Sequence, residues 1–521
     1  MSTATVVPSR SPHPAGRGGF PRLLHAEWTK FRTVRGWVAG MAVAGLVTVS
    51  FGLLAASATK SSCDAPAGQS CGAGPIGPAG APVTDKFYFV HQQLTGDGTL
   101  TARVTSLSGI ITYPKSNPDA IVPGVVPWTK VGIIVKDGTG QGSPYAAVMA
   151  TGSHGVRMQD DYTHDTAGSP GAVTATSPRW LRLTRTGDTL TGYESTDGGH
   201  WTTVGTAHLA GLPAAVQAGL FVTSPGDVQV QEGLGGGAAV HHTQTTAVFD
   251  QVGLRGRAAG TWTGDAVGGA DGTDWERYHR PVGVTRSGDT FTVTGSGDIA
   301  PVDDPGRDVE RALIGGFAGL IVMIVVATLF VTAEYRRGLI RTTLAACPRR
   351  GQVLAAKAVV VGSVTFVTAL LATAVTVPLS ERVLRANGAR LVPIGTLTTL
   401  RVEAGTAALL AVAAVLALAV GAVTRRSAAA VTAVVVTLVL PYFLAVTSAV
   451  PTGASQWLLR LTPAAAFAVQ QSVPAYPQMS GAYTPSNGYF PLAPWAGFAV
   501  LCGYTALALG IAAHRLRRRD A

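Results

Sequence analysis

Six long apolar runs constrain this chain more than any other feature: residues 36–58, 312–333, 355–379, 402–424, 427–450 and 492–513, free of charged side chains except near their ends. A helix rises about 1.5 Å per residue, so about 20 residues cross a hydrocarbon core about 30 Å thick. Each run is long enough to do so. Only 13% of the residues are charged, against roughly 25% in soluble domains, which fits a chain with several stretches that never meet water. Residues 59–311 differ in character, being rich in Thr, Gly, Asp and Trp with no comparable apolar run. The expected fold class is a polytopic α-helical membrane protein of six transmembrane helices, with an all-β domain inserted between the first and second.

The net charge of +11 could point to nucleic acid, but the basic residues gather at the ends of the runs. Arg10, Arg17, Arg22, Lys30, Arg32 and Arg35 precede the first run. Arg336, Arg337, Arg341, Arg349, Arg350 and Lys357 connect the second and third, Arg425 and Arg426 the fourth and fifth, and the chain ends HRLRRRDA. Six crossings put all four groups on one side, as the positive-inside rule asks of the cytoplasm. Arg382, Arg385, Arg390, Arg401 and Arg460 fall in short connections on the other side and are outnumbered, five against eighteen. Both termini are expected to be cytoplasmic and residues 59–311 extracytoplasmic. No nucleic acid partner is expected.

The Pro/Gly/Ser-rich stretch 1–19 is expected to lack fixed structure. Over 20–35, Phe20, Leu24, Trp28 and Phe31 recur near helical spacing while Arg22, Lys30 and Arg32 lie largely off that stripe, which predicts an amphipathic helix in the membrane interface. Its candidate residues are Glu27, Trp28, Lys30, Phe31 and Arg32; the alternative is an extended first span. Ala56-Ser57-Ala58 resembles a signal-peptide cleavage site, but the apolar run exceeds the usual 7–15 residues, which favours a retained span. In the linker 59–85, Cys63 and Cys71 are a disulfide candidate in an oxidising compartment. Cys347 falls in a cytoplasmic connection and Cys502 inside the sixth run.

Short β-branched or alternating runs between Gly-Asp and Asp-Gly turns predict strands at Thr99–Ser106, Lys130–Lys136, Tyr145–Ala150, Trp180–Arg185, Thr189–Glu194, Trp201–Thr206, Gln217–Thr223 and Ala247–Leu254. The segment Leu183-TRTGDTLT-191 recurs as Val284-TRSGDTFT-292, which reads as one hairpin chemistry used twice or as a second small β unit. The ordered segments GDGT (96–99), KVGIIVKD (130–137), PRWLRL (178–183), GLFV (219–222) and FDQV (249–252) resemble the concanavalin-like or laminin-G-like jelly roll over 86–256, leaving 257–311 as a β-rich connector. That resemblance implies a glycan or another extracellular ligand.

No motif points to catalysis. The chain has no phosphate-binding loop, C-x-x-C or H-E-x-x-H. His241-His242 and Asp160-Asp161 are adjacent pairs, and neighbours on a strand face opposite ways. No catalytic residue, metal or directly bound cofactor is expected. The apolar runs also lack the internal ionisable groups of ion-coupled carriers, so driving energy is expected from another subunit.

Residues 334–354 hold more than a topological anchor needs. Leu339, Ile340 and Leu344 are read as an apolar strip on a short helix, Arg341, Thr342 and Thr343 as a polar one, and Pro348 as its brake. LLHAEWTKFRTVRG (23–36), EYRRGLIRTTLAACPRRGQVLAAKA (334–358) and RLTPAAAF (460–467) resemble the N-terminal helix, first cytoplasmic loop and Pro-containing segment after the fifth span in the permease subunit of bacterial ABC exporters of the six-helix type 2 class. The resemblance implies that Glu334, Tyr335, Arg336, Arg337, Arg341, Leu344, Pro348, Arg349 and Arg350 contact a separate ABC ATPase, which alone handles ATP. It also implies pairing with a second copy or a homologous permease, and location in the plasma membrane. Residues 451–491 are expected to be extracytoplasmic or re-entrant, and 514–521 a basic cytoplasmic tail. The alternative function is a membrane-anchored carbohydrate-binding or sensor protein.

Overall fold

The structure, a computed structural model, describes the chain except residues 1–18, 59–73, 113–120, 232, 234–237, 270–280, 303–312, 347–348, 388–390, 392, 473 and 519–521, and except the side chains of 341 and 344–346. Cys63, Cys71 and Pro348 lie outside the described residues. Among those described, six helices are long and apolar enough to cross a membrane: Arg35–Ala58, Ile314–Arg336, Arg350–Ala386, Thr396–Thr424, Ser427–Val446 and Pro494–Arg518, here spans 1 to 6.

Spans 1 and 2 pack at backbone distance because Gly315 and Gly319 stand one turn apart. A Cβ at Gly315 would lie 1.9 Å from the Thr48 carbonyl oxygen, and one at Gly319 2.0 Å from Thr48 Oγ1. Small residues at four-residue spacing allow such approach between membrane helices. Along span 5, a π-helical turn at Val435–Val439 precedes Pro441; widening there accommodates a residue that has no N–H and a ring that crowds the preceding turn. The helix ends at Val446 rather than 450, with Ser448 at φ +53°.

Span 3 has 37 residues, about 55 Å of helix against a core of about 30 Å. It does not stop at 379. Pro378 sits inside it, and Arg382 and Arg385 ride on its last turns, with Arg385 3.7 Å from Glu381 one turn back. Arg401 lies inside span 4 and donates to the Gln471 carbonyl. The connection expected to carry four arginines therefore holds at most Arg390, which lies outside the described residues.

Between spans 5 and 6 a helix, Thr452–Leu461, runs into a 3-10 helix, Pro463–Gln470, with all eight residues buried. Tyr504, near the middle of span 6, donates to the Leu461 carbonyl at 2.7 Å. A Cβ on Gly497 would lie 2.1 Å from the Ala465 carbonyl oxygen. The segment thus descends alongside span 6 and turns back toward its start.

The intervening region forms strands β1 (Val83–Asp85), β2 (Phe87–Thr112), β3 (Ile121–Pro123), β4 (Lys130–Lys136), β5 (Tyr145–Thr151), β6 (Val156–Asp160), β7 (His164–Ala167), β8 (Arg179–Thr186) and β9 (Thr189–Ser195). It continues through β10 (Thr202–His208), β11 (Ala215–Thr223), β12 (Asp227–Val230), β13 (Ala238–His241), β14 (Thr243–Val267), β15 (Gly283–Ser287), β16 (Thr290–Gly295) and β17 (Ile299–Pro301). All eight expected strand segments overlap these. The main sheet runs β10-β9-β8-β2-β11-β4-β5-β6-β7, with β14 on the other edge of β2. Along its length β2 pairs first with β11 and then with β8, so the sheet folds over on itself into a nearly closed antiparallel layer. Leu100, Val104, Ile133, Val148, Leu181, Leu190, Leu220 and Phe249 fill its interior.

The sheet does not end at 256. β14 pairs with β2, through several shifts of register, as far as Val267, and β15 and β16 extend the same sheet. Cross-strand pairing is what holds Arg257–Val267, Gly283–Gly295 and Ile299–Pro301 to the domain, and a reading along one strand does not contain it. The repeated TR-x-GD segments form two hairpins built alike: Gly187 and Gly288 both sit at φ +60°, and Nε of Arg185 and of Arg286 donates to the respective glycine carbonyl at 2.9 Å. A positive φ favours glycine at both turns.

The β region meets the helices at one end of the bundle, where Gly233 N–H donates to the Ser448 carbonyl at 3.0 Å and Gln478 Nε2 to the Thr163 carbonyl at 2.9 Å.

Candidate functional site: an ion-pair ring at the opposite end

The other end of the bundle gathers the N-terminal helix Phe20–Thr33, the end of span 2, the short helix Leu339–Ala346 and the start of span 3. The N-terminal helix buries Glu27 and Phe31 rather than a purely apolar stripe, while Trp28 remains 43% exposed. Together with Pro21, Leu24 and His25, Trp28 lines a groove of about 350 Å³ against Val359, Val360 and Ser363 of span 3. The helix therefore packs on the bundle.

Glu27 is buried because it has partners. Lys357 Nζ lies 2.7 Å from Glu27 Oε2 and 2.6 Å from Glu334 Oε1; Lys30 Nζ lies 3.0 Å from Glu27 Oε1 and 3.1 Å from Glu334 Oε1. These four contacts close a ring of two carboxylates and two ammonium groups from three helices. Lys30 also reaches Thr343 Oγ1 of the short helix at 3.5 Å. Phe330 sits under Lys357, with the ammonium 4.9 Å from the ring centroid, and Trp37 and Phe31 pack against Phe330. This aromatic wall keeps water from one side, which strengthens each ionic contact and makes an unpaired charge costly. Burial lowers the Lys30 pKa, but the Glu334 and Glu27 carboxylates outweigh it and leave the group above its ordinary value. Glu334 Oε2 is buried without a hydrogen-bond partner among the described residues.

The remaining candidate residues are spread around this ring. Arg336 and Arg337 are exposed; span 2 stops there because Gly338 takes φ +69°. The Arg425 guanidinium lies over the Tyr335 ring at 5.1 Å, tying the span 4–5 turn to span 2. Arg350 Nη1 donates to the Leu516 carbonyl at 2.7 Å, tying the start of span 3 to the end of span 6. Two expectations change. The expected loop 334–354 is mostly helical, since Glu334–Arg336 end span 2 and Arg350 begins span 3. Leu339 and Ile340 do not share a strip: Ile340 is buried and Leu339 is 48% exposed, as consecutive helical residues point about 100° apart. The side chains of Arg341 and Leu344 lie outside those described. Arg32 and Arg349 are exposed.

Sequence reasoning named Glu27, Lys30 and Glu334 without joining them and read Lys357 only as a topological charge. The available signal was Lys357 itself, a lysine inside an apolar helix, which needs a carboxylate partner.

A second set of buried ion pairs lies in the β region. Lys130 and Lys136 close the two ends of β4. Lys136 Nζ lies 2.8 Å from Asp85 Oδ2, with both side chains fully buried, and Lys130 Nζ lies 2.8 Å from Asp298 Oδ1. Tyr162 also donates to Asp85 at 2.7 Å. Burial pushes the Lys136 pKa down against the pull of Asp85, and burial with Asp85 pushes the Tyr162 hydroxyl far up. The two lysines fasten β1 and the residue preceding β17, where the chain enters and leaves the region. No group of three or more metal-ligating side chains occurs among the described residues.

Six apolar helices, an inserted β region and a conjunction of helix ends rather than a reaction centre define a multi-pass membrane transport component. The sequence profile of the ABC-2 family transporter protein matches residues 158–521, and the chain belongs to that family, the membrane component of an ABC transporter and not its catalytic part. No curated protein matches the chain. Among solved structures, a functionally unknown protein from Saccharomyces cerevisiae is similar over 33% of this chain and 76% of its own, at 16% identity and TM-score 0.21. Two structures of scytalido-glutamic peptidase with transition state analogs are similar over 41% of this chain and 98% of theirs, at 10% and 9% identity and TM-scores 0.25 and 0.23. Likenesses of that size carry no argument about the chain.

Proposed function

We propose that this permease belongs to an ATP-driven exporter of the type 2 class, and that a separate ATPase subunit grips the 334–350 segment. The observation that carries the reading is the ring of Glu27, Lys30, Glu334 and Lys357. A push on the short helix Leu339–Ala346 reaches Lys30 through Thr343, and from there the N-terminal helix, span 2 and span 3 together. Arg350 and Arg425 extend the connection to spans 6 and 4. Such a junction suits a device that turns closure of an external motor into reorientation of a whole bundle.

In this reading the ring end and both termini are cytoplasmic in the plasma membrane, as the distribution of arginines favours. The permease binds no cofactor itself, uses ATP through its partner, and pairs with itself or a homologue. The β region is an extracytoplasmic jelly roll that binds a glycan or another ligand, or gates the exit. Its contacts through Gly233 with Ser448 and through Thr163 with Gln478, in the segments before Thr452–Leu461 and after Pro463–Gln470, support a gating role. Purification in mild detergent should recover an ATPase with the permease, and deleting that ATPase should abolish transport. Transport that continues with no ATPase present overturns the reading.

A further inference from the structure

Lys136 and Asp85 meet in a place closed to water. Lys136 Nζ lies 2.8 Å from Asp85 Oδ2, and both side chains are 0% exposed. Tyr145 and Tyr162 flank the nitrogen, their ring centroids 5.9 and 5.7 Å away, and both rings belong to a buried cluster with Val83, Phe87 and Ile299. The two carboxyl oxygens of Asp85 differ sharply. Oδ2 accepts from the Gly142 N–H at 2.8 Å and from the Tyr162 hydroxyl at 2.7 Å, whereas Oδ1 is buried with no hydrogen-bond partner among the described residues. An apolar surrounding that leaves one oxygen unsolvated favours the neutral acid, and burial holds the Lys136 pKa below its ordinary value. Passing one proton from nitrogen to Oδ1 turns the ion pair into a carboxylic acid and a free amine in contact.

Tyr162 reaches this contact from the turn between β6 and β7, where Asp161 and Tyr162 take φ +43° and +69°. Such backbone suits glycine or asparagine, and a bulky aromatic there is a constrained choice. Constraint of this kind gathers at functional sites. Here it brings the Tyr162 hydroxyl to 3.2 Å from Lys136 Nζ, which the Ser143 carbonyl holds from another side at 3.0 Å.

We propose that Lys136 and Asp85 condense into an amide that cross-links the chain to itself. Nζ attacks Cγ, and the charge that develops on Oδ2 is held by the Gly142 N–H and the Tyr162 O–H, as in an oxyanion hole. The Cγ–Oδ1 bond breaks, the two protons given up by the lysine ammonium leave with Oδ1 as water, and Oδ2 remains as the amide oxygen. No further reactant is needed, because fixed contact in a dry site supplies the effective concentration. Lys130 and Asp298 meet at the same 2.8 Å, but with the carboxyl side chain 12% exposed, and that pair stays ionic. The amide joins β1 to the end of β4, 51 residues apart. Tension entering the β region from span 1 then passes directly into the main sheet, where β4 lies between β11 and β5. The proposal does not depend on the exporter reading.

The test is mass spectrometry of the full chain purified in detergent, intact and after digestion. The wild type should be lighter than its sequence by one water and should yield a branched peptide joining Asp85 to Lys136. Asp85→Ala and Lys136→Arg should each restore the full mass and abolish the branched peptide. Tyr162→Phe should slow its formation about a hundredfold, the loss typical of removing one oxyanion donor, read by sampling the protein at intervals after synthesis. Wild type at full sequence mass, or a missing water with the branch at any other pair of residues, overturns the proposal. Linkage of Tyr162→Phe at the wild-type rate overturns the oxyanion site. Should the variants aggregate, the wild-type mass and its branched peptide decide alone.

Discussion

Lys357 and Glu334, 23 residues apart on spans 3 and 2, meet at 2.6 Å with their side chains almost fully buried. Glu27, 330 residues from Lys357, completes the contact at 2.7 Å. Replacing Lys357 by Met leaves two buried carboxylates with only the half-exposed Lys30 between them. Losing one partner of a buried pair costs about 3–5 kcal/mol. Thermal unfolding of the detergent-solubilised protein should show a clear drop in the midpoint, larger than for Glu334→Gln, which keeps a polar group and whose Oε2 has no partner among the described residues to lose. Equal midpoints for Lys357→Met and wild type would refute the ring as a structural joint.

The clamp between Lys136 and Asp85 makes a separate prediction through a double-mutant cycle. Asp85→Asn or Lys136→Met alone strands a charge in a fully buried place, again at about 3–5 kcal/mol. Removing both charges should cost less than the sum of the two single changes, because contacting residues are not additive. Urea unfolding of the full chain followed by near-UV circular dichroism measures this. Strict additivity would contradict the clamp.

Gly315 offers a packing test. Alanine there would place a methyl 1.9 Å from the Thr48 carbonyl oxygen, so spans 1 and 2 must separate. Overpacking of this kind costs about 1–3 kcal/mol. Alanine at Gly503, where nothing lies within 4 Å, should leave stability unchanged or slightly raised. Comparing melting midpoints of the two variants checks the contact, and equal midpoints would argue against it.

His200 carries the pH prediction. Its hydrogen bond to Asp197, and the carboxylate's charge, raise its pKa above the ordinary 6.5. The folded form then holds the proton more tightly than the unfolded one. The stabilisation of that turn is complete below pH 6.5 and is lost as pH rises through the raised folded value. Titration of the imidazole by NMR should show this, and Asp197→Asn should return the pKa toward 6.5. An unchanged titration in the variant would dismiss the pair.

How much was legible in the sequence varies with how local the cause is. Transmembrane runs are a property of consecutive side chains, so all six appear in the sequence within a few residues at most ends. Span 3 is the exception, because the helix continues through Pro378 into a polar turn stabilised by the Glu381–Arg385 spacing. Strand positions were equally local, as were the two TR-x-GD hairpins, whose arginine and glycine lie two residues apart. The limit of the β region was not, since Arg257–Val267 and Phe291–Gly295 belong to it through pairing with strands far away in the chain.

By itself the sequence determined that this protein carries six helices long and apolar enough to cross a membrane, where a β insert belongs in the order of elements, and which segments carry charge. Hydrophobic length and residue periodicity are enough for that. Only the tertiary structure decided that Glu27, Lys30, Glu334 and Lys357 form one closed ring and that Lys130 and Lys136 clamp the β region where the chain enters and leaves it. Each of these depends on which helix or strand packs beside which, and charges separated by hundreds of residues find one another only once that packing exists.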